Sequence, residues 1–212
     1  MAITFYYGAG SPFAWRVWLA LEHKAIPHAL KVLSFADGDT RKPEFLALNP
    51  RHKVPVITDG DFVLYESAAI VEYLEELQPR PALFPGDARS RALVRRMVCE
   101  ADHYLDAANA KLVGNVLFTK PEEWDAARIT AARDALIGEL GLWEKAIRGD
   151  YLAGPLSAAD FAAYPMLAIA LRCERKKPDL GLKAALPAKI AAWMARIEAL
   201  PYFAKTWPAH WK

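Results

Sequence analysis

Cysteine is scarce in this sequence. Its 212 residues contain two, Cys99 and Cys173, far apart and outside any motif. A disulfide framework is therefore not expected, and a reducing cytoplasm is the natural compartment. Histidine is also sparse. Among His23, His28, His52, His103 and His210, no pair has metal-ligand spacing with a cysteine or carboxylate partner, so no metal is expected. Long apolar runs are missing. YPMLAIAL, residues 164–171, falls far short of the ~20 residues a membrane span needs. MAITFYYGAG lacks a basic start followed by an apolar run, so no secretion signal is expected. Neither sign of charge dominates. The net charge is +2 and there is no long basic run, which argues against nucleic acid as a partner. No internal repeat is visible. What the chain does have is apolar mass: 54% hydrophobic against 25% charged residues, enough to bury a core. At roughly 150 residues per domain it makes one large domain or two small ones.

The two halves have different patterns. In the first, ITFYY and HALKVLS read as strands. Between them PFAWRVWLALEHK carries Phe13, Val17, Ala20 and Leu21 at the spacing of a helix face. RKPEFLALN reads as a short helix ended by Asn49-Pro50. VPVITDGDFVLY predicts a hairpin about Asp59-Gly60-Asp61. ESAAIVEYLEELQ is a helix with Ala69, Ile70, Tyr73, Leu74 and Leu77 on one face. The order β-α-β-α-β-β-α predicts a small α/β sheet, with a parallel first pair and an antiparallel hairpin at its edge. The proline-rich QPRPALFPGDA then reads as a linker. Beyond it the second half is helical in pattern, over 89–112, 122–148 and 186–200, with Ser157-x-x-Asp160 as a structural capping box before the last. The expected division is 1–78, a linker over 79–88, and an all-α domain over 89–212. The aromatic tail PYFAKTWPAHWK is expected to lie back on the body.

Ser11 opens the first helix directly ahead of Pro12. Its own chemistry makes it an N-cap, with proline at the first helical position, where its missing N–H is harmless. The same place gathers free N–H donors and the positive end of the helix dipole, so a hydroxyl there can also hold an anion.

Four segments carry a family resemblance. SPFAWRV at 11–17, NPRHKVPVI at 49–57, YESAAIVEYL at 65–74 and LSAADFAAYPML at 156–167 resemble, in this order and across nearly the whole chain, motifs of the cytosolic glutathione transferases. SPFAWRV is similar to the active-site turn of the serine classes. Two departures stand out: His52 occupies a position where the motif has glycine, and Arg51 one where some classes place an aromatic that keys into the partner subunit.

The resemblance implies a thioredoxin-like N-terminal domain, an all-α C-terminal domain and a homodimer. Glutathione is the implied co-substrate, and the second substrate is a small hydrophobic electrophile. Ser11 is the implied catalytic residue. It donates its O–H to the glutathione sulfur and so stabilises a thiolate rather than abstracting a proton. A free thiol has a pKa near ~8.5, and lowering it by about two units corresponds to roughly 2.7 kcal/mol. Tyr6 is the alternative hydroxyl, ahead of its neighbour Tyr7. Lys53 and His52 face the glycyl carboxylate. Val54, held by a cis bond to Pro55, offers a backbone edge. Ser67 with its helix N-terminus takes the γ-glutamyl carboxylate, and Glu66 the amine. Phe13, Trp15, Tyr104, Trp207 and Trp211 are candidate walls for the second substrate. Isomerisation, ether cleavage or dehalogenation with the same thiolate remains open, as does a non-catalytic binding role on the same fold.

Overall fold

Alternation along ITFYY sets the first strand. Ile3 and Phe5 are buried on one face, and Tyr6 points to the other. The computed structural model describes residues 3–211. It begins β1 (Ile3–Tyr7), α1 (Pro12–His23), β2 (His28–Val32), α2 (Pro43–Leu46), β3 (Val56–Asp59), β4 (Phe62–Tyr65) and α3 (Ser67–Leu77). The four strands lie in the order β2-β1-β3-β4. β1 and β2 are parallel, and β3 runs antiparallel to both β1 and β4. This is the expected α/β sheet with its edge hairpin. Gly60 at the hairpin turn has φ +64°.

The helical half comprises α4 (Ala88–Glu100), α5 (Asp106–Val116), α6 (Ala126–Ala146), α7 (Ala158–Lys176) and α8 (Ala188–Glu198). A π-helical turn at Ala101–Leu105 joins α4 to α5. The helix read over 89–112 thus runs on to Val116, with a local widening that its side-chain period does not announce. The helix read from 122 begins only at Ala126, because Asp125 caps it by accepting from Arg128 N–H. Ser157 and Asp160 form the expected box. Asp160, fully buried, accepts from Ser157 N–H and Oγ at 2.8 and 3.0 Å, from Leu152 N–H at 2.9 Å and from Trp193 Nε1 at 2.8 Å. Burial pushes its pKa up to about 6, although all four donors pull it down. Among the described residues, no helix is long and apolar enough to cross a membrane.

The chain divides into two compact units. One holds the described residues up to Leu83 together with those from Pro201 onward, and the other is Phe84–Leu200. The expected helical domain over 89–212 is corrected here: its tail belongs with the sheet. α9 (Phe203–Thr206) lies against α1. Trp15 Nε1 donates to Thr206 Oγ1 at 2.8 Å, and the Trp15 ring sits 5.4–6.0 Å from Phe203, Trp207 and Trp211. Large aromatic surfaces seek the nearest apolar helix face, not their neighbours in sequence.

The start of the expected linker is also pinned. Lys24 stands just past α1 and is fully buried. Its Nζ donates to Glu75 Oε2 at 2.6 Å, to Gln78 O at 2.7 Å and to Pro81 O at 2.9 Å, so all three ammonium protons are placed. Glu75 Oε2 accepts in addition from Leu83 N–H at 2.9 Å. Removing one partner strands the other charge in the interior. Lys24→Met is expected to cost about 3–5 kcal/mol in urea unfolding, with most of that recovered in the Lys24→Met, Glu75→Leu double variant.

His23 gives a pH dependence. Its Nδ1 lies 2.8 Å from Tyr202 Oη. Burial and the neighbouring Lys24 cation push its pKa down to about 4, against the opposing pull of Glu75. An unfolded histidine titrates near ~6.5, so between these values the unfolded chain binds a proton that the folded one does not. The contribution of His23 to stability is complete above pH ~6.5 and is lost as the pH falls toward 4. Asp160, whose pKa is raised, slopes the other way over an overlapping window. The decisive measurement is therefore the difference in urea midpoint between the natural protein and His23→Gln from pH 7 to 4.5. It is expected to narrow steadily as the pH falls.

Candidate active site

Strand register brings three separate loops to one end of the sheet. Tyr6 pairs with Val56, and Val56 pairs with Tyr65. β1 ends at Tyr7, one residue past Tyr6, β3 enters at Val56, and β4 leaves at Tyr65. The Gly8–Ser11 loop, the Val54-Pro55 step and the Glu66-Ser67 step must therefore share that end.

Ser11 is the N-cap of α1. Its φ is −71° and ψ 120°, and its Oγ accepts from Ala14 N–H at 3.3 Å. Pro12 takes the first helical position, and no acidic residue stands in the first turn to offset the positive end of the dipole. Ser11 lies on the wall of a cavity of about 270 Å³ shared with Tyr7, Trp15, Trp18, Lys205 and Trp207. Burial raises the Tyr7 pKa, which keeps that phenol protonated and a donor at neutral pH.

Tyr6, the expected alternative to Ser11, faces the other side of the sheet. Its ring packs 6.4 Å from Phe45, with Lys31 Nζ 5.3 Å above it. Tyr7 takes its place beside the serine. Two adjacent tyrosines necessarily part to opposite faces, and helix packing on the sheet decided which one meets Ser11.

Buried Asn49 braces the loop ahead of β3: its Nδ2 donates to Lys53 O at 2.8 Å and its Oδ1 accepts from Arg51 N–H at 3.0 Å. His52 and Lys53 are exposed, and His52 has φ +47°, the left-handed region where the glycine of the resembled motif rests without strain. The Val54-Pro55 bond is cis, and Pro55 is buried. Glu66 is exposed at φ +71°. Ser67, the first residue of α3, is 6% exposed and accepts from Arg16 Nη1 at 3.1 Å. Of the expected second-substrate walls, Trp15 and Trp207 line the Ser11 cavity. Phe13 instead lies under the Arg16 guanidinium, 5.5 Å from it. Tyr104 belongs to the helical unit, on the π-helical turn, where it lines a cavity of about 330 Å³ with Arg96, Glu100 and Trp143. Trp211 is buried against Trp15. Among the described residues, no group of three or more metal-ligating side chains is assembled.

Reading the sequence missed Arg16, Trp18 and Asn49. An arginine within the apolar face of α1 was the available signal for the first. Gly10 also carries more weight than its type suggests. Its φ is +85°, and a Cβ there would meet the His210 ring and the Trp211 indole nitrogen at 3.1 Å. Gly10→Ala is expected to cost about 1–3 kcal/mol through backbone strain and to loosen the tail, read as increased tryptophan exposure to an aqueous quencher.

A family profile for the glutathione S-transferase N-terminal domain matches residues 10–77. Glutathione S-transferase 4 of Zea mays is 32% identical over 204 residues, covering 94% of this chain and 89% of that protein. Among solved structures, a glutathione S-transferase from the Antarctic clam Laternula elliptica is 33% identical, covers 100% of this chain and 94% of that one, and superposes with a TM-score of 0.86. A theta class glutathione S-transferase from Xanthomonas axonopodis pv. citri, solved with glutathione bound, is 27% identical with a TM-score of 0.84, covering 97% of this chain and 96% of that one. The chain belongs to the glutathione S-transferase family.

Proposed function

We propose that this transferase binds glutathione across the sheet end where the three loops meet and ionises its thiol at Ser11. The observation that carries the reading is the register row Tyr6, Val56, Tyr65, which gathers Ser11, Val54 and Ser67 at one end of the sheet. Each answers one part of the tripeptide. Val54 offers main chain to the cysteinyl residue in the manner of an added strand. Ser67 and the first turn of α3 receive the γ-glutamyl carboxylate, with Glu66 on the amine. Lys53 and His52 lie on the side of the glycyl carboxylate. Ser11 donates to the sulfur at the N-terminus of α1, where hydrogen bond and dipole both favour the anion. The thiolate then attacks an electrophilic carbon, forming the S–C bond as the leaving group departs with its electron pair. The apolar walls Trp15 and Trp207 of the Ser11 cavity suit a small hydrophobic electrophile.

Detoxification in the cytoplasm by a homodimer completes this reading. Both cysteines are free thiols, which suits a reducing compartment.

The test is the ultraviolet thiolate absorbance of bound glutathione as a function of pH. In the natural protein the bound thiol is expected to titrate about two units below its free value near ~8.5. In Ser11→Ala it is expected to return most of the way. Tyr7→Phe, at the same cavity, is expected to leave the thiol pKa nearly unchanged. Tight binding with an unshifted pKa would reduce Ser11 to a helix cap, and a return in Tyr7→Phe alone would move the role to the phenol.

A further inference from the structure

Arg16 is a cation placed inside the apolar face of α1. It is 1% exposed, stacks over Phe13, and reaches from α1 to the first residue of α3. A guanidinium has N–H donors and no acceptor, so Ser67 Oγ must be the acceptor in their 3.1 Å contact. That bond occupies a lone pair and leaves the Ser67 hydroxyl proton unused. It also sets the direction in which that proton can point, because the cation blocks the inward side. Ser67 stands at the start of an 11-residue helix whose first turn contains no acidic side chain. The hydroxyl, the free N–H groups and the dipole all favour an anion there.

We infer that Arg16 is a positioning residue for carboxylate recognition. It grips Ser67 from the core side, so that the hydroxyl donates outward to the γ-glutamyl α-carboxylate, and it puts a buried positive charge behind that bond. This role rests on the glutathione reading above. It assigns to a side chain in the core a share of ligand specificity, not merely of packing.

The test compares two ligands by calorimetry. One is glutathione. The other is its analogue with 4-aminobutyryl in place of γ-glutamyl, which keeps the amine and lacks only the α-carboxylate. Ser67→Ala is expected to weaken glutathione roughly 10–100-fold, the range for a hydrogen bond to a charged group, and the analogue by less than about threefold. Arg16→Gln is expected to weaken glutathione about tenfold and leave the analogue nearly unchanged. In the Ser67→Ala background, Arg16→Gln is expected to add less than about threefold, since the hydroxyl through which it acts on the ligand is gone. If the glutamine variant does not fold, Arg16→Met is read in the same way, and Arg16→Lys, which keeps the charge and a donor, is expected to retain most of the affinity for glutathione. Equal weakening of both ligands by the Arg16 variants would overturn the inference and leave Arg16 a packing residue. So would an undiminished effect without the Ser67 hydroxyl. A natural protein that binds neither ligand would instead overturn the glutathione reading itself.

Discussion

The pairing of Tyr6 with Val56 and of Val56 with Tyr65 is the constraint on which the proposed glutathione site depends. The three residues belong to three strands, and each borders a loop carrying a candidate ligand-binding group. A slip of one residue between β1 and β3 would exchange the faces of a whole strand. It would move Tyr6 off the Leu33–Phe45 cluster to the opposite face and displace Val54 from its place opposite the Ser11 loop. Packing opposes this, because both faces are filled: Phe5 and Ile57 are enclosed on one, and Val56 sits on the other against Leu33 and Phe45. The site is therefore fixed by apolar packing some distance from any polar group that serves it.

Register alone does not fix α1, whose N-terminus carries Ser11. That helix is tied at both ends and in the middle. Lys24 anchors its C-terminus to Glu75 and to the carbonyls of Gln78 and Pro81. Trp15 binds the tail through Thr206, and His23 does so through Tyr202. Arg16 links it to the start of α3. The buried ion pair adds little net stability by itself, since desolvation consumes much of its attraction. Its value is geometric: an ammonium with three fixed acceptors leaves the helix no freedom to slide.

Legibility in the sequence tracked the range of the interactions. The succession of elements, the hairpin at Asp59-Gly60-Asp61, the Ser11 cap and the Ser157–Asp160 box rest on alternation, spacing or residues three apart, and these are printed in the chain itself. The Arg16–Ser67 bond spans 51 positions, as does Lys24–Glu75, and Trp15–Thr206 spans 191. No local pattern encodes a partner so distant. The tail went to the wrong domain for the same reason: continuity in sequence suggested the helical half, whereas its aromatics found Trp15. Which of Tyr6 and Tyr7 lies beside Ser11 turns on a finer point. Alternation says that the two part company, but only the location of Trp18, 4.9 Å from Tyr7, says which one turns toward α1.

The polar groups gathered at the sheet end share one property, and it limits the chemistry. Ser11 and Ser67 are hydroxyls, Tyr7 is a phenol whose burial keeps it protonated, and the first turns of α1 and α3 present N–H groups without acidic neighbours. Glu66, His52 and His210 are exceptions, and all three are exposed. Among the described residues, a site of this kind has donors in surplus and no buried base. It can only make an anion more comfortable than water does, letting the proton leave to solvent. That suits a thiol, whose pKa lies close enough to neutrality for a few well-aimed donors to shift the balance. It suits an alcohol poorly, since the same few kcal/mol leave a hydroxyl still protonated. The kind of polar group present thus fits the sulfur chemistry proposed for this site, before any detail of the second substrate.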